Sequence, residues 1–153
     1  MSSTPPDVEA QLDGFLGKFT PEVEAQARAA LGRMRARLPG ACELVYDNYN
    51  ALAIAFGANE KMAGVVFSIA VYPRWVSLFF ARGRELPDPQ NLLQGTGNTM
   101  RHIVLKDIGL FDTSGVEALI AEALALAAPP IDPAQERRLI IRSISAKQRS
   151  RRP

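Results

Sequence analysis

The apolar positions of this chain change period twice. From Val8 they recur at helical spacing, as Val8, Leu12, Phe15, Leu16 and Phe19, behind Asp7 as a capping acid, while Gly14 and Gly17 weaken this first helix. Thr20-Pro21-Glu22 opens a second helix with a capping hydroxyl, a proline at the first helical position and an acid near the positive end of the dipole. Val23, Ala27, Ala30, Leu31, Met34 and Leu38 make its single apolar stripe, and Pro39-Gly40 ends it. The period then falls to two. Glu43 to Asp47 reads as a short strand and Asn48-Tyr49-Asn50 as a turn. In Ala51 to Phe56, Leu52, Ile54 and Phe56 face one way and three alanines the other. After the loop Gly57 to Lys61, Gly64 to Tyr72 is a strand with Val65, Phe67, Ile69 and Val71 on one face. Pro73-Arg74 turns the chain into Trp75 to Ala81. Successive strands joined by such short links predict an antiparallel meander, because parallel neighbours need long crossovers.

A polar connection over residues 82–99 leads to a further strand, Arg101 to Leu105. Ser114 and Glu117 stand at capping-box spacing ahead of a helix that buries Val116, Leu119, Ile120, Ala123, Leu124 and Ala127. Pro129, Pro130 and Pro133 stop it. Leu139 to Ile144 reads as a last short strand or a helix turn; left unpaired at a sheet edge, such a strand would invite a second copy, so monomer and homodimer both stay open. No internal repeat is present. The pattern predicts an α+β fold.

Composition narrows the class. A chain of 153 residues with 47% apolar and 22% charged residues is an ordinary globular domain with one core. The longest apolar runs, Ala63 to Phe67 and Ala123 to Pro130, fall far short of the ~20 residues of a membrane helix. Met1 to Pro6 has neither the basic region nor the apolar stretch of a signal peptide, so a cytoplasmic protein without membrane association is expected. The expected organisation is a loose leader over 1–6, a domain over 7–130 and a basic extension over 131–153. One cysteine, Cys42, excludes an intrachain disulfide, and one histidine, His102, leaves too few ligands for a His/Cys zinc site.

Charge divides the chain. Residues 1–136 carry 11 Lys and Arg against 16 Asp and Glu, a net of −5, whereas residues 137–153 carry seven basic residues and no acid. The overall +2 therefore comes from the C-terminal segment. That asymmetry raises a polyanion partner, with Arg142, Lys147, Arg149, Arg151 and Arg152 as candidate nucleic-acid contacts. No aromatic residue interrupts them, so base stacking within the segment is not expected. The alternatives are a solvated extension or an arm laid on the domain's own acidic surface.

Several local patterns resemble one family. Two N-terminal helices precede Tyr46-Asp47-Asn48-Tyr49. A strand pair carries Val71-Tyr72-Pro73. Gly95-Thr96-Gly97 lies just ahead of the basic strand Arg101-His102-Ile103, and a helix and a basic tail follow. In this order, over roughly residues 8–128, the chain resembles the YdhG-like domains (domain-of-unknown-function family 1801), some of which are described as frataxin-like iron chaperones. The resemblance implies a curved antiparallel sheet of about five strands with two N-terminal helices and one C-terminal helix. It implies little about activity, because fold does not supply function.

Candidate chemistry is sparse. Tyr46, Asn48, Tyr49, Tyr72, Trp75 and Arg101, with Gly95 and Gly97, would line a small-ligand or partner site if a curved sheet gathered them; the alternative is that the aromatics fill core and edge positions. Gly95-Thr96-Gly97 with Arg101 could approach a phosphate, but the glycines precede a strand and lack a phosphate-loop lysine, which favours a tight turn. His102 has no evident nucleophile, and as strand neighbours Arg101 and His102 point to opposite faces. No catalytic constellation or cofactor is expected. Asp7, Glu9, Asp13, Glu22 and Glu24 are the acids that an iron-binding role would draw on, although acids near helix starts are ordinary. The leading expectation is non-enzymatic binding on the sheet face. A nucleic-acid accessory role through the tail and iron binding are the alternatives.

Overall fold

A computed structural model describes residues 6–153, so the leader expected over 1–6 lies, apart from Pro6, outside the described residues. Helices α1 (Pro6–Leu16) and α2 (Pro21–Arg37) lead into strands β1 (Cys42–Asp47), β2 (Leu52–Gly57), β3 (Val65–Val71), β4 (Val76–Phe80) and β5 (Arg101–Val104); α3 (Ser114–Leu126) and β6 (Arg138–Ile144) complete the chain. The strands form one sheet in the order β5-β4-β3-β2-β1-β6. Neighbours are antiparallel except β1 and β6, which run parallel. The fold is α+β, with six strands where the resemblance implies about five. The additional strand comes from the C-terminal segment, which α3 carries from the β5 edge of the sheet to the opposite edge.

Alternation along the strands fixes the two faces. Val45, Leu52, Ile54, Phe56, Phe67, Ile69, Val71, Val76, Leu78, Phe80 and Ile103 share one buried core with the apolar stripes of all three helices. Phe67 and Phe80 meet edge to face within it, ring centres 5.5 Å apart. The other face has no helix on it and carries only a small cluster of Cys42, Leu44 and Ala55, flanked by Tyr46, Val65 and Ile140.

Two details depart from the expected pattern. Gly57 pairs with Val65 while Phe56 pairs with Phe67, so a bulge turns Val66, not Val65, into the core. The cap of α3 is Thr113, whose hydroxyl accepts from the Val116 amide, one residue ahead of the expected Ser114; Glu117 is thereby released to pair with Arg37.

The connection from α3 to β6 is fastened where α2 ends. Gly40 holds a left-handed backbone at φ 83°, and a Cβ there would stand 2.1 Å from the Asp132 carbonyl oxygen. Gln135 donates to the Gly40 carbonyl at 2.6 Å and the Ala58 carbonyl at 3.0 Å. Replacing Gly40 with Ala is therefore expected to lower the free energy of unfolding by about 2 kcal/mol or more. Gly32→Ala, where a Cβ meets nothing within 4 Å in the middle of α2, is expected to raise it by up to ~1 kcal/mol. Denaturant unfolding of both variants checks the pair.

Candidate functional site

Two carboxylates sit on the core-facing side of β1, one on either side of Val45. Glu43 and Asp47 are fully buried, which demands partners. Arg35 of α2 grips Glu43 with a fork of 2.7 and 3.0 Å. Arg137 reaches Glu43 at 3.4 Å and Glu9 at 3.0 Å, joining α1 to the same cluster. At the other end of the strand Asp47 receives Lys18 at 2.8 Å and Arg151 at 2.9 Å. The Arg151 side chain is only 3% exposed. It donates further to the Asn48 carbonyl at 2.6 Å and the Tyr49 carbonyl at 3.2 Å, and lies over the Phe19 ring at 5.5 Å. Arg152 then bonds the carbonyls of Gly17, Lys18 and Phe19, the open end of α1.

The segment expected to be a separate basic extension is thus part of the domain. β6 is hydrogen-bonded to β1, the Ser145 amide bonds the Asp47 carbonyl and the Arg149 amide bonds the Tyr49 carbonyl. The domain boundary expected at residue 130 moves accordingly to the end of the described chain. Of the expected nucleic-acid contacts, Arg151 is unavailable because Asp47 holds it inside, and Arg152 is spent on α1. Arg142 donates to the Glu60 carbonyl. Lys147 and Arg149 remain exposed, with side chains free of partners among the described residues.

The expected sheet-face group divides in two. Tyr46 faces away from the helices, its hydroxyl 3.5 Å from the Met62 sulfur. Tyr72 and Trp75 flank the β3–β4 turn on that same side, stacked with ring centres 4.5 Å apart at 19°. Asn48 and Tyr49 form the β1–β2 turn, at the same end of the sheet. Arg101 does not join them. It opposes Phe80 at the other end of β4, on the opposite side of the sheet from His102, and its guanidinium closes its own turn by donating to the carbonyls of Gly97 and Met100, both at 2.7 Å. Gly95, at φ 115°, and Gly97 lie in that distant loop, tied down by the Gln94–His102 bridge. The Gly-x-Gly segment is a turn entering a strand.

The remaining candidates are held in structural contacts. His102 stacks on Phe79, ring centres 4.9 Å apart, on the helix-free side. Cys42 is buried, and burial pushes its thiol above the usual range, which disfavours a thiolate nucleophile. Glu9, Asp13 and Glu24 are committed to Arg35 and Arg137, Arg28, and Arg28 respectively. Among the described residues no three His, Cys, Asp or Glu side chains gather closely enough to hold a metal ion. No helix among them is long and apolar enough to cross a membrane. Several cavities border α3, two of them beside the chain over residues 82–92. One of about 80 Å³ is walled by Val66, Leu86, Ala123, Leu126 and Arg82. The other, a groove of about 380 Å³, runs between Pro87–Leu92 and the first half of α3. Neither involves the aromatic group.

The end of the sheet with the β1–β2 and β3–β4 turns carries exposed aromatic surface. Tyr49 is 50% exposed and Trp75 43%; Ile144, at the end of β6, is 56% exposed but pairs with Asp47 and so lies on the helix side. Two residues not singled out from sequence stand beside them: Arg74, inside the turn between the stacked rings, and Lys106, just after the residue whose amide bonds the Val76 carbonyl. Their signal was adjacency to a turn, which a single sequence does not separate from an ordinary solvated charge.

The Asp47 cluster sets a pH dependence. Burial pushes this carboxyl up, but hydrogen bonds from Lys18, Gln148 and Arg151 outweigh it and hold the group below the usual carboxylate range. A depressed folded-state pKa stabilises the fold at pH values above the unfolded carboxylate value, about 4, and that contribution is lost as pH falls through the folded value. Arg151→Ala is expected to destabilise by about 3 kcal/mol at pH 7, because it leaves the buried carboxylate with Lys18 as its one cation and frees the Asn48 and Tyr49 carbonyls. The gap to wild type is expected to shrink at low pH, once Asp47 is protonated. Urea unfolding at the two pH values checks both statements; equal stability at pH 7 would contradict them.

No family model, curated protein or solved structure matches this chain.

Proposed function

We propose that this chain is a YdhG-like binding domain whose recognition surface is the aromatic end of the sheet face left bare by the helices. The observation that carries the reading is the Tyr72–Trp75 stack, which lies on the open face with Trp75 nearly half exposed. A stacked aromatic pair packed only for stability would be expected to turn inward, as Phe67 and Phe80 do. Ala53, Ala70 and Ser77 pair across β2, β3 and β4 on the same side and make a floor beside the rings that is already covered at Ala70 and Ser77. Tyr46 borders that floor on β1. What stays open to a flat partner is the exposed part of the Trp75 ring and of Tyr49. The order of two helices, hairpin-linked strands, a basic strand and a helix supports the YdhG-like assignment.

The surface is exposed, so its use is separable from folding. A panel of small aromatic fragments, titrated into labelled protein, is expected to give saturable amide shifts clustered at residues 46–53 and 70–77. Trp75→Ala is expected to abolish them while changing stability by less than ~1 kcal/mol. Shifts confined to the groove beside α3, or none with any fragment, would contradict the reading.

A further inference from the structure

The partners of the cations indicate what this surface binds. Eighteen Lys and Arg residues are present. Most side chains are spent: on carboxylates, as with Arg28, Arg35, Arg82 and Arg151, or on backbone carbonyls, as with Arg101 and Arg152. Among the described residues, those whose charged groups meet no acceptor are Lys61, Arg74, Lys106, Lys147 and Arg149. Lys61 lies in the β2–β3 loop, at the opposite end of the sheet. The other four share the end that carries the aromatics.

Strand order places them. Lys106 follows β5, with Leu105 bonded to Val76 at the start of β4. Arg74 occupies the turn between Tyr72 and Trp75. Arg149 is held to Tyr49 by a backbone hydrogen bond of 2.8 Å, and Lys147 precedes it. Across six strands spaced ~4.8 Å apart the cations are spread over about 24 Å. Of the acids at this end of the sheet, Asp47 is buried with Lys18 and Arg151, and Asp107, next to Lys106, accepts from the Gly109 amide. Glu22 opens α2 one turn before Gln26, whose side chain donates to the Lys106 carbonyl at 3.3 Å, so an acid stands near Lys106 on the helix side.

We infer that the aromatic end of the sheet binds single-stranded nucleic acid, an inference that rests on the binding reading above and names its partner. Unpaired cations at the same end of a sheet as exposed rings, with Arg74 between two of them, are an arrangement such ligands select. Phosphates neutralise the cations without regard to sequence, and bases stack on the rings. The C-terminal segment lacks aromatics of its own. The fold supplies them, because the clasp on Asp47 brings Lys147 and Arg149 to the Tyr49 turn. An acidic peptide would satisfy the charges but would leave the stacked rings unused. The width fits the short end of single-strand sites, which cover about 4–16 nucleotides per domain.

The test uses the full chain. Trp75 is the only tryptophan, so its fluorescence reports on the site directly. A ten-nucleotide oligothymidine is expected to quench it saturably. Raising salt from ~50 to ~200 mM is expected to weaken binding about 50-fold if all four cations meet phosphates, from a slope of about −0.7 per contact. Arg74→Glu with Arg149→Glu should weaken it at least ~10-fold, since each reversal removes a contact and adds a repulsion. Trp75→Ala, followed by anisotropy of a labelled oligonucleotide, should weaken it by a similar factor through lost stacking. Lys61→Glu should leave it unchanged. Three results would overturn the inference: no binding at ~50 mM salt, binding that survives the double reversal, or equal binding of an oligoglutamate without quenching, which would mark an acidic protein partner. Fragment shifts that persist at Tyr72 and Trp75 when the oligonucleotide fails to bind would leave the aromatic site standing and remove only its assignment to nucleic acid. Loss of both would remove the site as well.

Discussion

A carboxylate buried in a protein core is tolerated only when cations and donors surround it, and this chain buries two on one six-residue strand. Glu43 and Asp47 flank Val45 on the side of β1 that faces the helices. The helix layer reaches them from one direction, through Arg35 of α2 and Lys18 of the α1–α2 link, and the C-terminal segment from the other, through Arg137 and Arg151. Each end of the strand is thus a three-way junction of helix layer, sheet and chain end. The position of β6 follows from this. It enters beside Arg137, runs parallel to β1 and leaves toward Arg151, so both junctions close only when β6 lies alongside β1 in this register.

The same junctions account for the charge asymmetry of the sequence. An acidic body and a basic end neutralise one another within the molecule, through Arg137 with Glu9 and Glu43, Arg138 with Glu60, and Arg151 with Asp47. What remains for an outside partner is the set of cations that these contacts do not consume, and four of them lie at the end of the sheet that carries Tyr49, Tyr72 and Trp75. Fold and proposed binding are linked there, since the clasp on Asp47 also delivers Lys147 and Arg149 to Tyr49. On the opposite end Arg101 spends its guanidinium on its own turn, which explains why it contributes nothing to the aromatic surface.

Much of the fold was legible from residue order. Helix stripes, the Thr20-Pro21 start, the Asn48–Asn50 and Pro73-Arg74 turns and the meander all appear as expected, because each is set by local geometry. The illegible parts depend on distant partners. β6 is a parallel edge strand interrupted by a bulge, so its side chains do not alternate cleanly and its role stays ambiguous in sequence. Glu43 and Asp47 do share the parity of Val45, a sign of acids on a core face, but only the fold shows which arginines answer them. Placement of the candidate site was legible in part. Asn48, Tyr49, Tyr72 and Trp75 lie at one end of the sheet, and Tyr46 precedes them on β1 with its hydroxyl toward Met62. Arg101, Gly95 and Gly97 do not lie at that end, because strand direction puts the start of β5 at the far end. Paired and unpaired cations look alike in a sequence, and this hid Arg74 and Lys106.

The central claim is that the arginine-bearing chain end is a structural member that holds β1, rather than an appendage. Native-state amide hydrogen exchange, residue by residue, compares the full chain with one lacking residues 150–153. If the claim is right, amides of β1, β6 and the Asn48–Ala51 turn lose at least ~10-fold protection, and more than those of β3 and β4, because local openings at the clasp become easier. Amides of β1 and β6 as protected in the shortened chain as in the full one would contradict it.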